Sequence, residues 1–224
     1  LYLSSAEQTS LSLLGVDKIA PTRIAWKSKR VQGPAVNRID SKFAALNEAG
    51  KTAFIAYISA GDPSLDATKA LALEFERVGV DVLELGVPFS DPMADGPVNQ
   101  QAAERALAAG ATVPGVLETI RAIRETSELP IVLYVYMNPI YTYGFQKFLA
   151  DAAEAGVDGL LLLDLPPEEQ DANPELAAAE NLHLIRLIAP TTPPDRVEKI
   201  AAMGQGFVYY ICREGVTGMR EGVV

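Results

Sequence analysis

The chain has 224 residues, 49% of them hydrophobic and 21% charged, which suits one large domain of ordinary globular composition. A formal net charge of -10 and a pI near 4.7 argue against binding nucleic acid or an anionic membrane through a basic surface. A single cysteine, Cys212, excludes an internal disulfide and a cysteine-based zinc site, and a single histidine, His183, excludes a histidine cluster.

Residues 1 to 35 differ in composition from the rest. They are rich in Ser and Thr and carry Lys18, Arg23, Lys27, Lys29 and Arg30 against Glu7 and Asp17. Such a basic, acid-poor segment reads as an irregular amino-terminal extension, of transit-peptide, vector or native origin. No apolar stretch approaches the roughly 20 residues that cross a bilayer. The expectation is a cytoplasmic protein, or a plastid one if the extension is a transit segment, with residues 36 to 224 forming the folded domain.

From Arg38 onward, apolar runs alternate with helical patterns. The runs are Ala53 to Ser59, Val82 to Val87, Ile131 to Met137, Gly159 to Leu165, Leu184 to Ile188 and Phe207 to Cys212. Between them, helical spacing of three and four is carried by Leu71, Phe75 and Val78, by Val116, Ile120 and Ile123, and by Phe148, Leu149 and Ala152. Asp62 followed by Pro63 reads as an N-cap with proline at the first helical position, and Pro167 precedes Glu168 and Glu169 in a first turn. Gly110 and Gly156 read as helix stops.

Repeated strand-helix units with nearly continuous apolar strands predict an α/β fold with a parallel sheet covered by helices. The loop after the first run, SAGDPS, lacks a dinucleotide fingerprint. Polar residues at the run ends (Ser59, Asp62, Glu84, Asn138, Asp164 and Arg213) favour a barrel with its site at one rim. Six units of a TIM-type (β/α)8 barrel are accounted for, so the expectation is a barrel lacking its last two units at the carboxyl end.

The stretch Asp81 to Gln100, DVLELGVPFSDPMADGPVNQ, organises the functional reading. Glu84 is an acid inside a run that otherwise reads as buried on both faces, where a carboxylate needs a partner, a raised pKa or a chemical role. A loop stiffened by prolines and glycines follows, holding Asp91 and Asp95.

These residues resemble the alpha subunit of tryptophan synthase. The resemblance is carried by LELGVPFSDPMADGP, AYISAGDPS, VYMNPIYTYG, LLLDLPPEE and YYICREGVTG, in that family's order, over about Asn37 to Gly222. It implies a lyase of tryptophan biosynthesis that cleaves indole-3-glycerol phosphate to indole and glyceraldehyde 3-phosphate by a retro-aldol reaction. By family position Glu84 is the general acid/base and Asp95 the carboxylate facing the indole nitrogen. Tyr209 would contact substrate. Tyr57 and Tyr136 would line the indole pocket or serve as core aromatics. Gly218 would approach the phosphate, and Thr217 would bond the aspartate loop on closure. Asp91 would order that loop and communicate with a partner, or be a solvated acid. Asn138 and Asp164 read as structural hydrogen-bonding residues, and Cys212 and His183 as inert.

The resemblance further implies no cofactor in this subunit. Pyridoxal phosphate would reside in a beta subunit, the partner in an alpha2beta2 hetero-oligomer. The family's main phosphate site falls on the seventh and eighth units, beyond Val224. The alternative reading is a truncated, non-catalytic module that binds or regulates a beta subunit.

Overall fold

The computed structural model describes residues 37–179 and 181–211. The expectations for residues 1 to 35 and for Cys212, Arg213, Thr217 and Gly218 lie outside the described residues.

Helix α1 (Arg38–Glu48) precedes strand β1 (Ile55–Ser59), helix α2 (Leu65–Val78) and strand β2 (Val82–Gly86). Helices α3 (Pro97–Ala108) and α4 (Val113–Arg124) lead to β3 (Ile131–Val135), followed by α5 (Met137–Tyr143), α6 (Phe145–Ala155) and β4 (Gly159–Leu162). Then come α7 (Pro167–Ala172), α8 (Pro174–Ala178), β5 (His183–Leu184), β6 (Arg186–Ile188), α9 (Pro194–Met203) and β7 (Val208–Tyr210). Strands β1 to β5 form one parallel sheet in chain order, and β6 pairs with β7, also parallel. The six apolar runs of the sequence match the described strands, except that β5 begins one residue earlier, at His183. Among the described residues the sheet does not close, since β1 pairs only with β2 and β7 only with β6.

Strand alternation sorts the core into two layers. Val82, Val132, Leu161 and Ile185 face inward with Ile39 of α1, joined by Tyr134, Leu163, Leu187, Phe207 and Tyr209. Leu83, Leu85, Ile131, Leu133, Leu160 and Leu162 face outward against Val116, Ile120, Phe148 and Ala152 of the covering helices. Strands β2, β3 and β4 are therefore buried on both faces, the arrangement that produces continuous apolar runs, whereas β1, β6 and β7 are largely half-buried.

Several helix starts are fixed by side chains. Ser64 accepts from Ala67 N, Thr112 from Gly115 N, and Asn37 from Ile39 N. The cap of α2 is thus Ser64 rather than Asp62, which lies outside the helix, follows Gly61 and forms a two-pronged ion pair with Arg105. The buried face of α2 also differs from the expectation: Thr68 and Ala72 are buried, whereas Leu71 and Val78 are 39% and 60% exposed. Thr68 sets this rotation, because its hydroxyl accepts from Gly61 N at 2.9 Å and donates to Ser64 O.

The run Leu184 to Ile188 is interrupted at Ile185. Leu184 N donates to the side-chain carbonyl of Gln205 at 3.0 Å, so a glutamine amide stands where a neighbouring backbone would continue the ladder. His183 is more engaged than expected: its Nε2 lies 2.8 Å from Asp40 Oδ2 and ties β5 to α1.

Opposite the rim that carries the polar loops, Asp158 is buried beneath the sheet. Its Oδ2 accepts from Arg124 Nη2 at 2.7 Å and Ile131 N at 2.8 Å, and its Oδ1 from Arg38 Nη1 at 3.1 Å. Arg38 also pairs with Glu128. Among the described residues no single helix is long and apolar enough to cross a membrane, and no group of three or more His, Cys, Asp or Glu could hold a metal ion.

Candidate active site

Glu84 is the middle residue of β2, in register with Tyr57 on one side and Val132 on the other. Only 5% of it is exposed. Burial raises its pKa from the ordinary carboxylic value to about 7. No ion pair with another described residue offsets that effect. A carboxyl with this pKa exchanges a proton readily in either direction near neutral pH.

Asp95 arrives from the loop between β2 and α3 and is equally buried. Its position is built by a set of local bonds. Asp95 N donates to Pro92 O, and Gln100 Nε2 from the first turn of α3 donates to Asp95 O at 2.9 Å. Tyr136, just past the end of β3, clasps the loop: its hydroxyl accepts from Ala94 N at 3.0 Å and donates to Asp95 Oδ2 at 2.7 Å. Tyr134 and Asn99 each reach Asp95 Oδ1 at 3.3 Å.

Tyr57 joins the two acids. It is in register with Glu84, its ring meets Tyr134, which reaches Asp95, and burial first, then the charges of Asp95 and Glu84 and the phenol of Tyr209, raise its pKa. Its ring meets Tyr134 edge-on, with centroids 5.2 Å apart. The ring lies across Gly86, where an added Cβ would fall 2.4 Å from the phenol oxygen. Glycine at this interior position leaves the space that Tyr57 occupies. Tyr209, on β7 in register with Leu187, packs into the same inner layer.

The structure therefore gathers Glu84, Tyr57 and Tyr209 on the inner face of the strands, with Asp95 and Tyr136 just past the carboxyl ends of β2 and β3. Tyr136 does more than line the pocket, since its hydroxyl fixes the Asp95 loop. Asp91 stands apart. It is exposed, accepts from Ser90 Oγ, and borders an open surface hollow with Pro92, Met93, Gln100 and Glu104. Asp164 Oδ1 accepts from Met137 N at the start of α5, and Asn138 Oδ1 accepts from Thr142 Oγ1, so both have local structural bonds. Tyr134 was not singled out by sequence. Its signal is the period of two along β3, which places Val132, Tyr134 and Tyr136 on one face.

Comparison with known proteins shows the family. The family model described as "Tryptophan synthase alpha chain" matches residues 43–224. The tryptophan synthase alpha chain of Geotalea daltonii is 48% identical over 188 residues, covering 84% of this chain and 71% of that one. That of Clostridium kluyveri is 45% identical over 186 residues, covering 83% and 70%. The crystal structure of tryptophan synthase subunit alpha from Legionella pneumophila superposes with a TM-score of 0.75 at 44% identity, covering 79% of this chain and 68% of that one. A structure of Mycobacterium tuberculosis tryptophan synthase gives a TM-score of 0.76 at 34% identity, covering 84% and 72%. These neighbours complete the fold assignment, a TIM-type barrel of which the described strands form part. The chain belongs to the tryptophan synthase alpha chain family.

Proposed function

We propose that this chain is the lyase of the alpha half-reaction of tryptophan synthesis, cleaving indole-3-glycerol phosphate to indole and glyceraldehyde 3-phosphate, with Glu84 and Asp95 as its working pair. Protonated Glu84 delivers a proton to indole C3. Positive charge then develops on the ring nitrogen, and Asp95 accepts the N–H and stabilises that state electrostatically. The Glu84 carboxylate next removes the proton of the side-chain hydroxyl. The carbon-carbon bond breaks, its electrons return to the ring, and the hydroxyl carbon becomes the aldehyde. Glu84 ends protonated, as it began.

The observation that carries this reading is the pairing of two buried carboxylates of different surroundings around Tyr57: Glu84 with its pKa raised to about 7, and Asp95 held by phenol donors. Two acids in such contrasting environments can take different roles. The same observation favours an enzyme over a non-catalytic module. The reaction proposed draws on no cofactor of this subunit. A beta subunit carrying pyridoxal phosphate is the proposed partner, with Asp91 and Thr217 ordering the loops that face it, Gly218 approaching the phosphate and Tyr209 contacting the substrate.

The test is release of indole from indole-3-glycerol phosphate by this chain, alone and with a beta subunit. Glu84→Gln and Asp95→Asn should each lower kcat/KM by roughly two or more orders of magnitude. Turnover at the parent's rate by Glu84→Gln would exclude the proposed mechanism.

A further inference from the structure

Tyr134 belongs to none of the motifs and is no part of the acid/base pair, yet it joins Asp95 to Tyr57. It lies in the inner layer, opposite Gly86 of β2 and Leu161 of β4. Its ring meets Tyr57 and its hydroxyl reaches Asp95 Oδ1. Burial, followed by the charge of Asp95, raises its pKa, so it remains a hydrogen-bond donor throughout the neutral range.

The two oxygens of Asp95 are held unequally. Oδ2 receives Tyr136 at 2.7 Å, the length of a strong charge-assisted bond. Among the described residues, Oδ1 receives Tyr134 and Asn99, each at 3.3 Å and beyond the usual range of a strong hydrogen bond. An oxygen with two long contacts can accept a new donor without surrendering a strong bond.

We propose that Tyr134 is a positioning residue that presents Asp95 Oδ1 to the ring N–H of the substrate, while Tyr136 anchors Oδ2. This rests on the reaction assigned above. The firm bond sets where the carboxylate sits, and the loose one sets which oxygen turns toward the ligand. In the complex the N–H takes the place of one long contact, and the Tyr134 hydroxyl keeps the carboxylate plane from rotating away. The Tyr134 ring, braced by Tyr57, forms one wall of the slot that receives the indole.

The experiment uses the Glu84→Gln chain, which should bind substrate with slow turnover, and measures by calorimetry the affinities of indole-3-glycerol phosphate and of its N1-methyl analogue, which has no N–H to donate. With Tyr134 present, methylation should weaken binding about ten-fold, the order expected for losing one hydrogen bond to a charged group. With Tyr134→Phe, which keeps the ring, that ratio should fall at least three-fold. Asp95→Asn should lower it as well, and adding Tyr134→Phe in that background should lower it no further. A ratio unchanged by Tyr134→Phe, even with both affinities reduced, would overturn the inference and leave the reaction assignment standing. Binding of neither ligand by the Glu84→Gln chain with Tyr134 in place would overturn both.

Discussion

The carboxyl of Glu84 is buried among apolar neighbours, and the consequence for stability has a definite sign. Its folded pKa, about 7, lies above its ordinary value of 4.5. The stability this group contributes is therefore fully present below about pH 4.5 and is lost as pH rises through about 7, because the folded state must then hold an unpaired charge. Glu84→Gln removes the titration. Its unfolding free energy should match the parent's near pH 4.5 and exceed it at pH 8.5 by up to about 3 kcal/mol. Urea denaturation at the two pH values measures this, and an equal difference at both would refute the raised pKa. Gly86 permits a second prediction. A methyl group there collides with the Tyr57 phenol at 2.4 Å, against two walls of packed strand. Gly86→Ala should cost about 1–3 kcal/mol of stability and should lower indole release at least ten-fold by displacing Tyr57. A fully active and stable Gly86→Ala would mean that Tyr57 has room to move.

Among the elements, β2, β3 and β4 were legible in the sequence because they are buried on both faces and so read as nearly continuous apolar runs. Their polar ends were legible for the same reason: Glu84 is conspicuous only against valine and leucine. What local sequence hid was made by distant partners. Nothing near Ile185 announces the break in its run, since the amide that satisfies Leu184 comes from Gln205. The exposed side of α2 could not be read from Leu71 and Val78, since Thr68 bonding to Gly61 fixes which way the helix turns. The cluster at the floor was equally hidden. Arg38, Arg124 and Asp158 come from α1, α4 and the turn before β4. Burial lowers the pKa of Arg124 despite the charge of Asp158, so this pair is held in a poorly solvated place. Arg124→Met leaves Asp158 buried with Arg38 as its remaining cation and should lower stability by about 3 kcal/mol, read as a shift in the urea midpoint. A shift under about 1 kcal/mol would mean that Arg38 alone suffices.

Across the molecule, the parallel sheet separates stability from chemistry. The charged cluster of Asp158 closes the amino-terminal side of the strands. Glu84 of β2 and the tyrosines on and just after β1, β3 and β7 lie toward Asp95 in the loop after β2, on the carboxyl-terminal side, as in other barrels of this type. Glu84, the proposed acid, stood out from one strand and its loop. The arrangement around it did not, because the donors to Asp95 come from β3 and α3, roughly 40 and 4 residues away along the chain. Only folding makes them neighbours. In the proposed reaction Glu84 makes two proton transfers from a protonated starting state, which fixes how the rate must respond to pH. We would record kcat/KM for indole release from indole-3-glycerol phosphate between pH 5 and 9. The account predicts a rate that falls as pH rises through about 7, following loss of the Glu84 proton, with that inflection absent from the residual activity of Glu84→Gln. A flat profile in the parent, or the same inflection in the variant, would contradict it.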